Sequence, residues 1–387
     1  MISRIAADQF FRILDKSPNG QFRIYSPDGR VRELGQGHSN DVAELTIDDW
    51  RVFSSAMRKG EIGLTETYRD GLWSTPDLTK VLVLGMQNSA DLVSLIRGGF
   101  LTRMSSRMLY LLRANSLKGS RKNIQAHYDL GNDFYKLWLD PSMSYSAALY
   151  GDNAALNLEQ AQHNKYDRIL ERLDTNRGSL LEIGCGWGGF AERSQQSGDF
   201  EYRGITLSAE QKKYADTRLG DKIHVALQDY RHQQGRFQHI VSIEMFEAVG
   251  EKYWPLYFSR IKSLLADKGS AVIQSITIKN DSFEKYRSRG DMFRTFIFPG
   301  GMLPSPNRFA EEAERAGLRM TDQFEFGPDY ATTVKIWLEN FELNLDQVRA
   351  LGYDESFIRV WRFYLAACIA SFQSGNTNVM QVQLAHA

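Results

Sequence analysis

The chain has 387 residues, 42% hydrophobic and 24% charged, and its 47 Lys and Arg balance 47 Asp and Glu. That length suits two domains, or one large domain with a smaller companion, and the balanced charge excludes whole-molecule attraction to nucleic acid. Two cysteines, Cys185 and Cys368, are too few for a disulfide framework and fit a reducing compartment.

No apolar h-region stands at the N-terminus and no apolar run reaches the roughly 18 residues needed to cross a bilayer. A cytoplasmic protein is expected, free to lie on a membrane surface. In "QFRIYSPDGRVREL" apolar and polar residues alternate around Pro27-Asp28-Gly29, which predicts a hairpin. "TIDDWRVFSSAMRKG" predicts a helix capped by Thr46 and ending at Gly60. From Leu92 to Tyr128 there is no acidic residue, while Arg97, Arg103, Arg107, Arg113, Lys118, Arg121 and Lys122 alternate with Phe100, Leu101, Met104, Met108, Leu111 and Leu112. Such a stretch reads either as a basic amphipathic helix on an anionic membrane or as an interdomain helix with a solvated basic face. A domain boundary is expected near residue 115, giving units 1–115 and 116–387.

Beyond about residue 165 short apolar strands alternate with helices. "SLLEIGCG", "EYRGITLS", "IHVALQDY", "FQHIVSIEMF" and "SAVIQSITI" predict strands. "SAEQKKYADTRLG" predicts a helix with a Ser208–Gln211 capping box and a Gly220 C-cap. "YWPLYFSRIKSLLADKG" predicts a helix ending at Gly269. The fold class that follows is α/β: a doubly wound, Rossmann-like sheet with a smaller mixed α+β front domain. Ligands of such sheets bind beyond the carboxyl ends of the strands, so strand-end residues are the candidates.

The first strand runs into "GCGWGG", where Gly184, Gly186 and Gly189 stand as G-x-G-x-x-G and Gly188 adds a fourth glycine. A dinucleotide would prefer an acidic residue about 20 positions later, at the end of the second strand. That strand ends "GITLS", with Thr206 and no carboxylate, and the acid precedes the loop as Glu182. Glu182-x-Gly184-x-Gly186 suits S-adenosylmethionine (SAM), whose sulfonium and amino acid need close backbone approach and nearby negative charge.

These residues now resemble a family. "HYDLGNDFYKLWLDPSMSYS", "LLEIGCGWGGFAERS", "GITLSAEQ", "LQDY", "MFEAVG", "FPGGMLPS" and "FGPDYATT", in this order over roughly 120–375, are similar to the cyclopropane-fatty-acid synthases and mycolic-acid methyltransferases. "GEIGLTETYRDGLW" resembles the front domain of the phospholipid-acting members. The resemblance implies SAM-dependent attack on a double bond in an acyl chain, an unsaturated phospholipid substrate, and a peripheral protein on the inner membrane face. A homodimer is compatible with the sequence, and no metal is expected. It implies a cofactor site of Tyr145, Ser146, Glu182, Gly184, Gly186, Gly188, Thr206, Gln211, Asp229 and Tyr230.

The resemblance also implies a bicarbonate ion acting as base, held by Glu247, Tyr330 and the backbone at Ile276, with Gln274 at a further position of that site. Glu247 ranks first among these catalytic candidates. Two positions depart from the pattern: Ala147 stands where the synthases carry Cys, and Gln274 where they carry His. Bicarbonate is therefore in doubt, and with it ring closure. A methyl or methylene branch is the alternative product. A carbocation on the chain calls for aromatic faces, and Tyr128, Trp138, Tyr145, Phe246, Tyr253, Trp254, Phe296, Phe298 and Tyr330 are the candidates. A small-molecule N-methyltransferase and a lipid-binding pseudoenzyme are the competing readings.

Overall fold

The computed structural model describes residues 2–37, 41–88, 130–153, 155–220 and 223–387. The basic stretch 92–128, Tyr128 and the expected boundary near 115 lie outside them. The chain forms two compact units: Met1–Leu112 with Ser288–Ile297 and Leu345–Ser374, and Arg113–Arg287 with Phe298–Asn344 and Gly375–Ala387. The first unit thus takes in two later segments besides the front of the chain.

In the first unit β1 (Gln21–Tyr25) and β2 (Val31–Leu34) form the expected antiparallel hairpin. Gly29 supplies the left-handed turn at φ 77°. β3 (Val42–Ile47) runs parallel to β1, and the two-residue β4 (Trp73–Ser74) closes the order β2-β1-β3-β4. Thr46 belongs to β3 and caps no helix. The helix begins at Arg51, whose N–H donates to Asp49 Oδ1 at 2.8 Å, and ends as expected before Gly60 at φ 64°.

The second unit holds β5 (Arg177–Ile183), β6 (Asp199–Thr206), β7 (His224–Leu227), β8 (Phe237–Ile243), β9 (Leu265–Ile278), β10 (Leu318–Glu325) and β11 (Thr377–His386), in the order β10-β11-β9-β8-β5-β6-β7. Strands β5 to β9 are parallel, and β11 runs antiparallel between β9 and β10. Apolar runs such as Leu180-Leu181 and Ala271-Val272-Ile273 are fully buried, as a sheet covered on both faces requires. After β5 the chain moves to β6 on one side and later returns to β8 on the other. That reversal opens a crevice at the carboxyl ends of β5 and β8.

Two local expectations need correction. The helix Trp254–Leu264 stops before Leu265, which is extended (φ −78°, ψ 130°), and Gly269 lies inside β9. Ser208 does cap the helix Ala209–Leu219, but the Gln211 side chain turns to Thr206 Oγ1 at 2.9 Å, so no reciprocal capping box forms.

Candidate active site

The glycine loop leaves β5 with its backbone in left-handed conformations: Gly184 at φ 84°, Gly186 at 52° and Gly188 at 87°. A Cβ on Gly184 would meet Met245 at 2.8 Å, whereas one on Gly186 would meet nothing within 4 Å. Gly186 therefore leaves room for a ligand, and Gly184 lets the β5 and β8 ends approach. The loop floors a cavity lined also by Tyr145, Ser146, Glu182, Thr206, Gln211, Asp229 and Tyr230. Nine of the ten expected cofactor residues thus meet at one cavity. Gly188 is not on its wall; a Cβ there would stand 2.7 Å from Leu219, so this glycine serves helix packing.

Sequence order explains how Tyr145 and Ser146 arrive. Asp140 accepts from the backbone N–H groups of Ser142 (2.9 Å) and Ser144 (3.2 Å), coiling the segment before them. Asp329 then accepts from Tyr150 (2.7 Å) and Gly151 (3.0 Å), fastening that segment to the helix Gly327–Leu343. The same helix presents Tyr330. Tyr145 packs against Trp138 and Trp337, at 5.4 Å each, and Trp337 also meets Tyr330 at 6.0 Å. Phe246 and Trp254 instead stack on each other in a buried cluster with Phe258 and Phe309, where they serve the core.

Charge at the cavity is arranged in pairs. Glu182 is buried and accepts a short hydrogen bond from the Tyr202 hydroxyl. Burial pushes its carboxyl up to about 8, against the opposing pull of Tyr202 and Lys165. Lys165, fully buried and unforeseen in the sequence, donates to Ser146 Oγ at 2.6 Å; burial lowers its ammonium to about 8. Asp229 is held as a carboxylate by Arg231 and caps the turn at Tyr230. Its pKa lies below the usual range because these hydrogen bonds outweigh burial.

A cationic ligand favours the ionised form of Glu182, so its binding releases a proton. The affinity for SAM is therefore expected to rise by up to tenfold per pH unit from pH 6 to about 7.5. Calorimetry across that range checks it. Glu182→Gln should flatten the slope, and a flat native profile would remove Glu182 from the site.

The largest departure from expectation is Glu244, the first residue after β8. Its backbone sits at φ 49°, a conformation that costs a non-glycine residue on the order of 1 kcal/mol or more. The carboxylate lines the cavity. Its Oε1 accepts from the Ala147 backbone N–H at 2.8 Å and from Gln274 Nε2 at 2.7 Å, and its Oε2 accepts from the Tyr330 hydroxyl at 2.6 Å. The Gln274 amide is oriented from behind: its Oε1 accepts from Gln381 Nε2 at 3.0 Å, and Gln381 accepts from Arg168 at 2.8 Å.

Glu247 is not on this cavity wall. Its Oε1 accepts from Ser275 Oγ at 3.0 Å and from the Ile276 backbone N–H, while its buried Oε2 has no partner. Met302 of "FPGGMLPS" donates to the Glu247 carbonyl at 2.9 Å. Burial, reinforced by the neighbouring Glu244, pushes the Glu247 carboxyl up to about 8. Burial also raises Glu244, but its three donors oppose that rise. The negative charge of the pair is accordingly best held on Glu244, with the proton on Glu247. Gln274 and Tyr330 thus meet at Glu244, and Ile276 meets Glu247. The donors that a bicarbonate would need at positions 147, 274 and 330 are already taken, so these residues do not fit that ion. Cys185 lies in the glycine loop, buried, with its thiol pushed well up by burial.

Comparison with known proteins follows this geometry. The family model "Mycolic acid cyclopropane synthetase" matches residues 115–382. The chain belongs to this family. It is 35% identical over 348 residues to tuberculostearic acid methyltransferase UfaA1 of Mycobacterium tuberculosis, covering 84% of this chain and 78% of that protein. It is 34% identical over 346 residues to the cyclopropane-fatty-acyl-phospholipid synthase of Escherichia coli, covering 88% and 87%. Among solved structures, mycolic acid cyclopropane synthase CmaA1 complexed with SAH and CTAB superposes with a TM-score of 0.64 at 31% identity, over 68% of this chain and 97% of that one. As a member of the family the protein is a SAM-dependent methyltransferase, and the cavity beyond β5 fits that cofactor: glycine backbone beneath, Glu182 for positive charge, and a ribose- and base-sized crevice toward Thr206 and Asp229.

Proposed function

We propose that this enzyme methylates a double-bond carbon of unsaturated fatty acyl chains carried on membrane phospholipids, giving a cyclopropane or a methyl- or methylene-branched chain. The extent of the match to the E. coli relative carries the reading. It spans 87% of a protein named for a phospholipid substrate, whereas CmaA1 covers 68% of this chain. SAM supplies an electrophilic methyl group. The residues around it supply the rest: Tyr145, backed by Trp138 and Trp337, offers an aromatic face to positive charge, and Glu244 offers a carboxylate on the same cavity. Among the described residues no helix is long and apolar enough to cross a membrane. The enzyme is proposed to act at an anionic surface on the cytoplasmic side, with the basic stretch 92–128 as its contact.

Expression in a host lacking its own synthase tests this. Lipid mass spectrometry should show a gain of one CH2 on monounsaturated chains, and proton NMR should separate ring from branch. Unchanged acyl chains would refute the reading. Sedimentation with anionic vesicles at low salt checks the surface, and a protein that stays in solution would favour a small amine substrate.

A further inference from the structure

We infer that Glu244 is a built-in replacement for a bound anion: its side chain fills the niche that the resemblance assigns to bicarbonate, and it is the group that takes the proton from the methylated acyl chain. The inference rests on the acyl methyl transfer proposed above. Three observations support it independently of that chemistry. The first is the donor set. The Ala147 N–H, Gln274 Nε2 and the Tyr330 hydroxyl converge within 2.8 Å on one carboxylate, a cradle for a planar anion with the anion supplied by the chain. The second is the backbone. A glutamate held at φ 49° is strained, and strain of this kind persists where function requires it. The third is the pair of departures. A carboxylate fixed to the chain needs neutral donors already aimed at it. Gln274 is neutral and is aimed by Gln381, and position 147 contributes through its backbone, so an alanine suffices.

The step balances as follows. Methyl transfer consumes the π pair of the alkene in a new C–C bond, the C–S bond breaks with its electrons on sulfur, and the neighbouring chain carbon becomes cationic. A C–H bond next to that carbon then gives up its electron pair. The pair forms the third ring bond if the hydrogen comes from the new methyl, or a C=C bond if it comes from the chain. The proton goes to Glu244 Oε2, which accepts only one hydrogen bond against two at Oε1.

The test uses the full-length enzyme, vesicles of a monounsaturated phosphatidylglycerol, and buffer stripped of carbon dioxide. Wild-type turnover should be unchanged by stripping or by added bicarbonate. Glu244→Gly suits the backbone at this φ, so the variant should fold and bind S-adenosylhomocysteine (SAH) within about threefold of wild type. Its turnover should fall about a hundredfold or more and recover at least tenfold when bicarbonate or formate is added. NMR with isotopically labelled bicarbonate should detect binding to Glu244→Gly and none to wild type. That readout is independent of the substrate and separates failure of this inference from failure of the proposed function. A wild-type rate that falls on stripping, a Glu244→Gly rate equal to wild type, or a Glu244→Gly protein that binds SAH yet neither binds nor is rescued by either ion would overturn it.

Discussion

Glu244→Gln is expected to lower turnover by about a thousandfold while SAH affinity stays within about threefold. General-base catalysis is worth roughly 10²–10⁴, and the amide abolishes basicity with almost no change of shape. Its Oε1 can still accept from Ala147 and Gln274, and its Nε2 can donate to the Tyr330 oxygen, so the wall of the cavity stays in place. Glu247→Gln should cost no more than about tenfold. With its carboxyl raised to about 8, Glu247 is largely neutral near pH 7, and a glutamine Oε1 can accept from Ile276 and Ser275 as it does. Single-turnover rates with unsaturated vesicles and SAH calorimetry check both. The opposite ranking, with Glu247→Gln inactive and Glu244→Gln active, would return the leading role to Glu247.

Gly184→Val is expected to weaken SAH binding by about a hundredfold or more. The position sits at φ 84°, where a β-branched residue is strongly disfavoured, and the first added carbon would already lie 2.8 Å from Met245 Cγ. Met245 follows Glu244, so the intrusion displaces cofactor floor and carboxylate together. Gly186→Ala makes the control. Its Cβ meets no protein atom within 4 Å, so thermal stability should hardly change while the added methyl intrudes on the ligand's space. Equal, small effects of both substitutions on SAH affinity would mean that the cofactor does not rest on this loop.

Much of the second unit was legible because a parallel sheet leaves a strong imprint: buried strands read as apolar runs, and the glycines after β5 mark the crevice. Strand ends then located Thr206, Gln211 and the Asp229–Tyr230 pair, and the structure brings them to one cavity. The same rule applied with equal force to Glu244, the residue directly after Ile243. It was passed over because Glu247 carried the resemblance, and the resemblance supplied an external ion that left no vacancy for a second carboxylate. Lys165 and Gln381 were invisible for another reason. One lies mid-helix and the other mid-strand, far from the motifs in sequence, and only tertiary packing brings them to Ser146 and Gln274. The helix ends at Thr46 and Gly269 were misread because a capping residue and a glycine are equally at home inside strands when neighbouring backbone approaches closely. Gly269, whose Cβ would stand 2.7 Å from the Gln238 carbonyl, is such a place.

The position of β11 has a consequence for biosynthesis. This strand is the last of the seven to leave the ribosome, yet it lies inside the sheet between β9 and β10 and carries Gln381, which aims the amide that holds Glu244. Until it inserts, β9 presents an unpaired edge and Gln274 is free to turn its carbonyl toward the carboxylate. The nascent enzyme can therefore build its cofactor loop early but cannot set its base until synthesis has passed residue 386. A chain released short of that point would carry the glycine loop and Glu182 without a correctly held Glu244, and so would bind the methyl donor without completing the reaction.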